Sequence, residues 1–261
     1  MPTVIVDGLK VDYEDTGTGL PIVFVPGLFG STDWFRYQVF GLSSRYRILS
    51  YNLRTARGRV EYSMDLLSRD LVRILDRLRI HGAVIVGHTF GAMVAMQFAA
   101  ENPERALAVG IISSAPSFSD LNEDDILAHL SPGEVESESL FARLWKRVMG
   151  NKLALEDDSD PLKYLARHGG TVDRATLAAR LRLMREADAE SMLAKIEAPM
   201  IVIAGADDWS AILSGSETIH QEAADSTLEV LENTDHFCFF KRHDLVNAVL
   251  DDFVSREVPR L

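Results

Sequence analysis

The stretch AVIVGHTFGAMVAMQF, residues 83–98, constrains the fold of this chain more than any other stretch. Four apolar residues, enough for a short strand, precede GHTFG, and an apolar helical run follows it. Gly87 and Gly91 stand two positions on either side of Thr89, where small residues let a strand and a helix cross closely. The stretch therefore predicts a buried strand, a very tight turn and a helix, with Thr89 at the strained tip.

Apolar runs of strand length alternate with helical segments along the first part of the chain. The spacing of apolar residues predicts a helix over 64–78, and strands are predicted at 3–6, 10–14, 22–25, 47–51, 83–86 and 106–112. This alternation is typical of a mostly parallel β-sheet that is flanked by helices on both faces. The predicted fold class is therefore α/β.

The alternation stops after residue 116 and resumes near residue 196. Residues 117–195 have a helical pattern with no convincing strand, and APMIVIAGADD then restores a strand. A strand at 227–231 and a helix from about 244 to 254 close the chain. The predicted organisation is a first core part, 1–116, a helical cap, 117–195, and a second core part, 196–261.

The composition argues against some classes of binding partner for this chain. The formal net charge is −12, and an acidic protein is repelled by nucleic acids and by anionic membrane surfaces. The single cysteine cannot form an intramolecular disulfide, and neither a secretory signal nor an apolar run of about 18 residues is visible. We expect a cytoplasmic protein that acts on a small molecule. No cofactor or metal is expected, because the histidines lack metal-ligand spacing. Nothing in the pattern indicates an oligomeric state.

Five segments together resemble the capped branch of the α/β-hydrolase superfamily. They are PIVFVPGLFGSTDWF, RYRILSYNLR, GHTFGAMVAMQFAAENPERALAVGIISSAP, IEAPMIVIAGADD and NTDHFCFFKRHDLVNAVLDDF. The resemblance implies the α/β-hydrolase fold, in which a nucleophile, an acid and a histidine follow one another along the chain in that order. It therefore implies hydrolytic chemistry at one end of the sheet.

The resemblance assigns roles to individual residues. Thr89 stands at the nucleophile position and His236 at the base position, and the acid is Asp208 in preference to its neighbour Asp207. The backbone N–H groups of Leu28 and Phe90 are the implied oxyanion hole.

Three departures from the family pattern bear on activity. The oxyanion loop usually begins His-Gly, whereas this chain has Pro26–Gly27, so a loop-bracing hydrogen bond from that histidine is missing. The family often has Asp-x-Arg-Gly after its fourth strand, and here Asn52 and Thr55 replace the aspartate and the glycine. The third departure is threonine for serine at position 89. A strained conformation costs about 1–3 kcal/mol, and the threonine methyl group crowds the incoming carbonyl.

Aromatic residues close to the implied catalytic residues predict an apolar substrate pocket. They are Phe29, Trp34, Phe118, Trp145, Trp209 and Phe237. An apolar or aromatic acyl substrate suits such a pocket better than a peptide or a sugar does. We expect His88 to pack beneath the turn and Cys238 to be a small core residue.

Three functions remain open from the sequence. The first is a hydrolase of a small apolar ester, lactone or thioester with a Thr89–His236–Asp208 triad and slow acyl chemistry. The second is a non-hydrolytic enzyme, such as a cofactor-independent dioxygenase, a lyase or a cyclase, in which His236 is the general base and Thr89 positions the substrate. The third is a catalytically silent ligand-binding relative. The presence of both His236 and Asp208 argues against the third.

Overall fold

The computed structural model describes residues 1–56, 61–119 and 172–258. The described strands are β1 (Thr3–Val6), β2 (Leu9–Thr16), β3 (Pro21–Val25), β4 (Arg47–Tyr51), β5 (Ala83–His88), β6 (Ala106–Ile112), β7 (Met200–Gly205) and β8 (Ser226–Leu231). The described α-helices are α1 (Arg36–Leu42), α2 (Met64–Arg77), α3 (Phe90–Glu101), α4 (Arg174–Glu186), α5 (Ala189–Leu193), α6 (Ser210–Glu222), α7 (Cys238–Lys241) and α8 (His243–Glu257). None of these helices is long and apolar enough to cross a membrane.

The strands form one eight-stranded sheet in the order β1-β2-β4-β3-β5-β6-β7-β8. The pairs β1–β2 and β2–β4 are antiparallel, and every other neighbouring pair is parallel. The prediction of an α/β fold with a mostly parallel sheet is confirmed. Because the carboxyl ends of parallel strands meet at one edge, the loops after β3, β5, β6, β7 and β8 lie together there.

The sheet is buried on both faces, as the apolar runs of its central strands require. Alternate residues of β3 enter different core clusters: Ile22 and Phe24 pack on one face, Val23 and Val25 on the other. The first face is covered by residues of α1, α7 and α8, and the second by residues of α2 and α3. All four of these β3 residues are 0% exposed.

The crossing of β5 and α3 is a contact of backbone on backbone. A Cβ atom at Gly87 would lie 2.2 Å from the carbonyl oxygen of Gly91. A Cβ atom at Gly91 would lie 2.1 Å from the carbonyl oxygen of Val25 and 2.6 Å from that of Pro26. Only glycine fits at either position, so these two residues set the distance between the turn and the loop after β3.

The predicted element limits differ from the observed ones mainly at the ends. Helix α2 begins at Met64 as predicted, and the Ser63 hydroxyl caps it by accepting a hydrogen bond from the Leu66 N–H. Helices α1, α6 and α7 were not predicted. None of the three has a side-chain N-cap, and α1 and α7 are also too short to show a helical period. Residues 120–171, most of the predicted cap, lie outside the described residues; α4 and α5 lie in its described part.

Replacing Gly91 by alanine tests the backbone crossing. The added methyl group would overlap the Val25 carbonyl, and backbone atoms cannot move aside as a flexible side chain can. We expect Gly91→Ala to lower the free energy of unfolding by about 3 kcal/mol or more. Urea denaturation followed by far-UV circular dichroism measures this change.

The matched control is Gly82→Ala. A Cβ atom at Gly82 would meet the flexible Leu107 side chain at 3.1 Å, so we expect a loss under about 1 kcal/mol. Equal losses in the two variants would contradict the proposed role of the crossing.

Candidate active site

Thr89 occupies the tip of the turn between β5 and α3. Its backbone φ is 49° and its ψ is −108°, a conformation that a β-branched residue rarely adopts. The turn is held by the Thr89 N–H, which donates to the Ile112 carbonyl at 3.1 Å, and by the Ser114 hydroxyl, which donates to the Thr89 carbonyl at 3.1 Å. The strained tip thus depends on strand β6 and on the residues that follow it.

A chain of hydrogen bonds joins Thr89 to His236 and Asp208. The Thr89 Oγ1 atom lies 2.9 Å from His236 Nε2, and His236 Nδ1 lies 3.1 Å from Asp208 Oδ2. Because a carboxylate only accepts, Nδ1 of the neutral imidazole carries the proton. In this tautomer Nε2 carries a lone pair that can accept the Thr89 hydroxyl proton.

The structure brings Asp208, and not Asp207, to His236. The Asp208 side chain is 0% exposed, whereas Asp207 is exposed to solvent. Asp208 Oδ1 also accepts a hydrogen bond of 2.7 Å from the Trp209 N–H. This second bond fixes the carboxylate in the position from which it orients the imidazole.

The Thr89 hydroxyl has a second acceptor within reach. Its Oγ1 atom lies 3.1 Å from the carbonyl oxygen of Ser113, which has a backbone φ of 46° just after β6. A hydroxyl has one proton, so donation to Ser113 competes with donation to His236. The distance to His236 is the shorter of the two.

Leu28 and Phe90 provide the two backbone N–H groups expected to face a developing oxyanion. Neither group has an acceptor among the described residues. The loop after β3 contacts the turn directly, because a Cβ atom at Gly27 would lie 2.8 Å from His88 Nδ1. Backbone N–H groups without an acceptor are the kind of donor that can stabilise a developing oxyanion.

The loop after β3 is braced by its own backbone and by the loop after β4. The Gly30 N–H donates to the Gly27 carbonyl at 2.9 Å, and the Leu53 N–H donates to the Gly30 carbonyl at 3.2 Å. The Asn52 side-chain oxygen accepts a bond of 2.9 Å from the Thr32 N–H. An amide oxygen can accept this bond just as a carboxylate does, so the replacement of aspartate by asparagine keeps the contact.

His88 is a second buried imidazole in contact with Thr89. Its Nε2 atom lies 3.1 Å from the His236 carbonyl oxygen and 3.2 Å from Thr89 Oγ1. A carbonyl only accepts, so Nε2 of His88 carries the proton. Burial lowers the pKa of His88 well below its usual value of 6.5, and the nearby His236 lowers it further. The sequence placed His88 beneath the turn but gave no sign of its contact with the hydroxyl.

Four of the six predicted pocket residues form aromatic contacts around the two imidazoles. Trp34 lies 5.5 Å from His88 and stacks on Phe29, and Trp209 stacks on His236 at 4.9 Å. Phe237 contacts both imidazoles edge-on or tilted but is only 1% exposed.

The other two predicted pocket residues are not in this group. Phe118 is half-buried and packs against the cluster on the opposite face of the sheet from Trp34. Trp145 lies outside the described residues.

Cys238 belongs to the core. It is fully buried, and burial raises the pKa of its thiol to about 12. Its Sγ atom lies 3.9 Å from the Ser113 hydroxyl oxygen. A thiol that stays protonated is a poor nucleophile, so the residue contributes packing and not reactivity.

Arg180 on α4 is a residue of the site that sequence reasoning missed. It is 1% exposed, and its guanidinium donates to the Leu28 carbonyl in the loop after β3. The signal in the sequence is its position in RATLAARLRLMRE. Arg180 lies on the same helical stripe as Leu177, Leu181 and Met184, where an apolar residue is expected.

Known proteins resemble this chain along most of its length. The model of the "Alpha/beta hydrolase family" matches residues 22–249. A non-heme chloroperoxidase of Streptomyces lividans is 28% identical over 277 residues, covering 95% of this chain and 97% of that protein. The enol-lactonase from Burkholderia xenovorans LB400 superposes with a TM-score of 0.83 and 20% identity, over 98% of this chain and 100% of that one.

A second solved structure, a hydrolase from Pseudomonas aeruginosa PA01, superposes with a TM-score of 0.81 and 20% identity over 97% of this chain and 98% of that one. At these identities the two structural matches show the fold alone. The family model covers most of the chain, and the chain therefore belongs to the α/β-hydrolase family.

Proposed function

We propose that this protein hydrolyses a small apolar ester, lactone or thioester, with Thr89 as nucleophile, His236 as general base and Asp208 as the support of His236. The observation that carries the proposal is the 2.9 Å contact between Thr89 Oγ1 and His236 Nε2, made from the tip of a positive-φ turn. The hydrogen bond from His236 Nδ1 to Asp208 supports the same assignment.

In the first half of the reaction, Thr89 Oγ1 attacks the substrate carbonyl carbon while its proton passes to His236 Nε2. The carbonyl oxygen becomes an oxyanion that accepts hydrogen bonds from the Leu28 and Phe90 N–H groups. Asp208 stabilises the imidazolium without taking its proton. The bond to the leaving group then breaks, and His236 returns the proton to the departing oxygen or sulfur.

In the second half, water replaces the alcohol or thiol. His236 takes a proton from the water, and the resulting hydroxide adds to the acyl carbon on Thr89. The tetrahedral intermediate collapses, Thr89 leaves with a proton from His236, and the carboxylic acid is released. The overall reaction consumes one water for each ester bond and requires no cofactor.

The surroundings of the two imidazoles support an apolar acyl group. Trp34, Trp209 and Phe237 contact the histidines, and none of these side chains carries a charge. Apolar walls with a few convergent polar groups are typical of sites for small apolar molecules. We propose that Phe29, Trp34, Trp209 and Phe237 shape the pocket, with Phe29 acting through its stacking on Trp34.

The Ser113 carbonyl favours a second candidate, a non-hydrolytic enzyme. A Thr89 hydroxyl that donates to Ser113 at 3.1 Å keeps its proton and can only position a substrate, while His236 remains available as a general base. The relative named as a non-heme chloroperoxidase is 28% identical to this chain. Its name describes an activity other than hydrolysis.

His88 supports catalysis in our proposal by staying neutral. Its ring centroid lies 4.7 Å from that of His236, so a charge on His88 would oppose formation of the His236 imidazolium. The depressed pKa of His88 removes this repulsion at neutral pH. The lowered pKa of His88 also reduces the free energy of unfolding at acid pH.

Substitutions of Thr89 test the nucleophile. After mixing with p-nitrophenyl acetate and acid quenching, we expect the wild-type protein to gain the mass of one acetyl group on Thr89. Thr89→Ser should acylate about tenfold faster, because the methyl group no longer crowds the carbonyl. Thr89→Ala should form no adduct and lose about 10³-fold in turnover. Intact mass, peptide mapping and release of p-nitrophenol measure these outcomes.

An adduct on the serine variant but not on the wild-type protein would rule out covalent catalysis by Thr89 and support the non-hydrolytic candidate. Full turnover by Thr89→Ala would also rule it out. The serine variant is the positive control, since it shows that the rest of the machinery can acylate.

Adjacent aspartates provide a matched pair for testing the acid. In the Thr89→Ser background, Asp208→Asn should slow acylation about 10³-fold. The amide has one acceptor oxygen for the two donors at Trp209 N–H and His236 Nδ1, and it has no charge to stabilise the imidazolium. Asp207→Asn, at an exposed neighbour with no contact to His236, should leave the rate unchanged. Stopped-flow release of p-nitrophenol gives both rates. Similar losses in the two variants would contradict the assignment of Asp208.

His88 should make folding sensitive to acid. Its folded-state pKa lies below the unfolded value, so the unfolded chain binds a proton first as the pH falls, and stability declines below about pH 6.5. The slope contributed by one such group is about 1.4 kcal/mol per pH unit. We expect His88→Gln to lose less free energy of unfolding than the wild-type protein between about pH 8 and about pH 5.

Urea denaturation at several pH values measures the slope. The control is His81→Gln, which removes an exposed histidine and should follow the wild-type pH dependence. If the His88 and His81 variants had the same slope, His88 would not be the group responsible.

A further inference from the structure

Among the residues that the structure describes, Arg180 is the largest side chain that is fully buried. Its Nη1 donates to the Leu28 carbonyl at 2.5 Å, and its Nη2 donates to the carbonyls of Arg54 at 3.1 Å and Leu53 at 3.4 Å. Its Nε donates to the Tyr62 hydroxyl at 3.0 Å. These partners are uncharged oxygen atoms. The arginine is therefore placed to hold backbone rather than to neutralise a carboxylate.

The guanidinium contacts both residues that supply the oxyanion N–H groups in the proposed function. Its shortest hydrogen bond is donated to the Leu28 carbonyl. Its Cζ atom lies 5.8 Å from the centroid of the Phe90 ring. The Tyr62 hydroxyl that it contacts donates in turn to the Arg54 carbonyl at 3.1 Å. One cationic group thus spans the loop after β3, the loop after β4 and the start of α3.

Gly30 leaves the space that the guanidinium occupies. Its φ is 65°, and a Cβ atom there would lie 2.6 Å from Nη1 and 2.9 Å from Nη2 of Arg180. The Gly30 N–H closes the turn on the Gly27 carbonyl. Arg180 therefore packs against one end of this four-residue turn and bonds to Leu28 in its middle.

We propose that Arg180 is the positioning residue of the oxyanion hole, an inference that rests on the proposed acyl-transfer function. The guanidinium fixes the Leu28 carbonyl, and the turn fixes Gly27 and Gly30, so the Leu28 N–H has one orientation. This replaces the brace that is missing at Pro26, where the related proteins usually carry a histidine. It also ties α4, a helix of the predicted cap, to the chemistry of the core.

A second contact of α4 reaches the same region. The Thr176 hydroxyl accepts a hydrogen bond of 2.8 Å from the Ala56 N–H in the loop after β4. Arg180 and Thr176 lie one helical turn apart on one face of α4. The helix is thus attached to the loop after β4 at two points, and Arg180 extends the attachment to Leu28.

The test compares Arg180→Lys with Arg182→Lys in the Thr89→Ser background. Lysine keeps the charge but cannot hold three carbonyls with a planar fork, whereas Arg182 is exposed on the same helix. With p-nitrophenyl acetate, we expect Arg180→Lys to lower kcat about 10²-fold and leave KM within about threefold, because the oxyanion forms only in the transition state. Arg182→Lys should match its parent. Millimolar guanidinium should restore part of the kcat of a smaller variant, Arg180→Ala.

Infrared spectroscopy measures the strength of the hydrogen bonds that the oxyanion hole donates. An acetyl-enzyme made with a ¹³C-labelled carbonyl has a stretching frequency that falls as hydrogen bonds to its oxygen strengthen. We expect the frequency to rise in Arg180→Lys and to remain at the parent value in Arg182→Lys. A role of Arg180 in stability alone would leave the frequency of the folded fraction unchanged.

Gly30→Ala provides a second route if the arginine variants do not fold. Its methyl group would displace the guanidinium, and the matched control Gly8→Ala has a similar positive φ of 80° with nothing within 4 Å. We expect Gly30→Ala, but not Gly8→Ala, to reproduce the fall in kcat and the rise in frequency. Combined with Arg180→Lys, Gly30→Ala should cost little more than either change alone.

The outcomes separate this inference from the proposed function. If the Thr89→Ser protein acylates at one rate with and without Arg180, and its carbonyl frequency does not move, Arg180 does not position the hole. An effect on KM alone would also overturn the inference, since it would make Arg180 a substrate-binding group. If the wild-type protein forms no adduct while Arg180→Lys slows the serine variant, the role of Arg180 stands and covalent catalysis by Thr89 fails.

Discussion

The site depends on the contact of α3 with the backbone of the loop after β3. Gly91 brings the first turn of α3 against the Val25 and Pro26 carbonyls, and Gly87 lets β5 pass directly beneath it. Thr89 turns the chain at this close crossing in a positive-φ conformation. The next residue, Phe90, begins α3, where the first N–H groups have no intrahelical partner, and its N–H has no acceptor among the described residues.

The sequence predicted the parts of this arrangement that follow from strand order. An apolar strand, a turn with two glycines and an apolar helix follow one another within one short stretch of sequence. This local pattern predicted that Thr89 lies at the tip of the turn. Asp208 and His236 follow β7 and β8, and the carboxyl ends of parallel strands meet at one edge of the sheet. The family resemblance singled out these three residues, and the sheet topology explains why they lie near one another.

Contacts that depend on one rotamer do not follow from the residue pattern alone. Asp207 and Asp208 differ in which side of one short turn they face, and the family resemblance, not composition, selected Asp208. The contact of His88 with Thr89 requires a ring turned back under the strand end. Arg180 shares α4 with Arg182 and Arg185, which are exposed to solvent, so only its position on the apolar stripe distinguishes it from them. Long-range packing decided each of these cases.

The burial of Arg180 has a consequence for how substitutions in α4 affect the site. A buried guanidinium must satisfy its donors, and here carbonyls from two loops and the Tyr62 hydroxyl accept their hydrogen bonds. Substitutions in α4 that shift the helix would then move the Leu28 carbonyl as well, and with it the geometry of the proposed oxyanion hole. In this chain, a residue of the predicted cap would thereby influence the reaction without contacting the substrate, through the one turn of backbone that it holds in place.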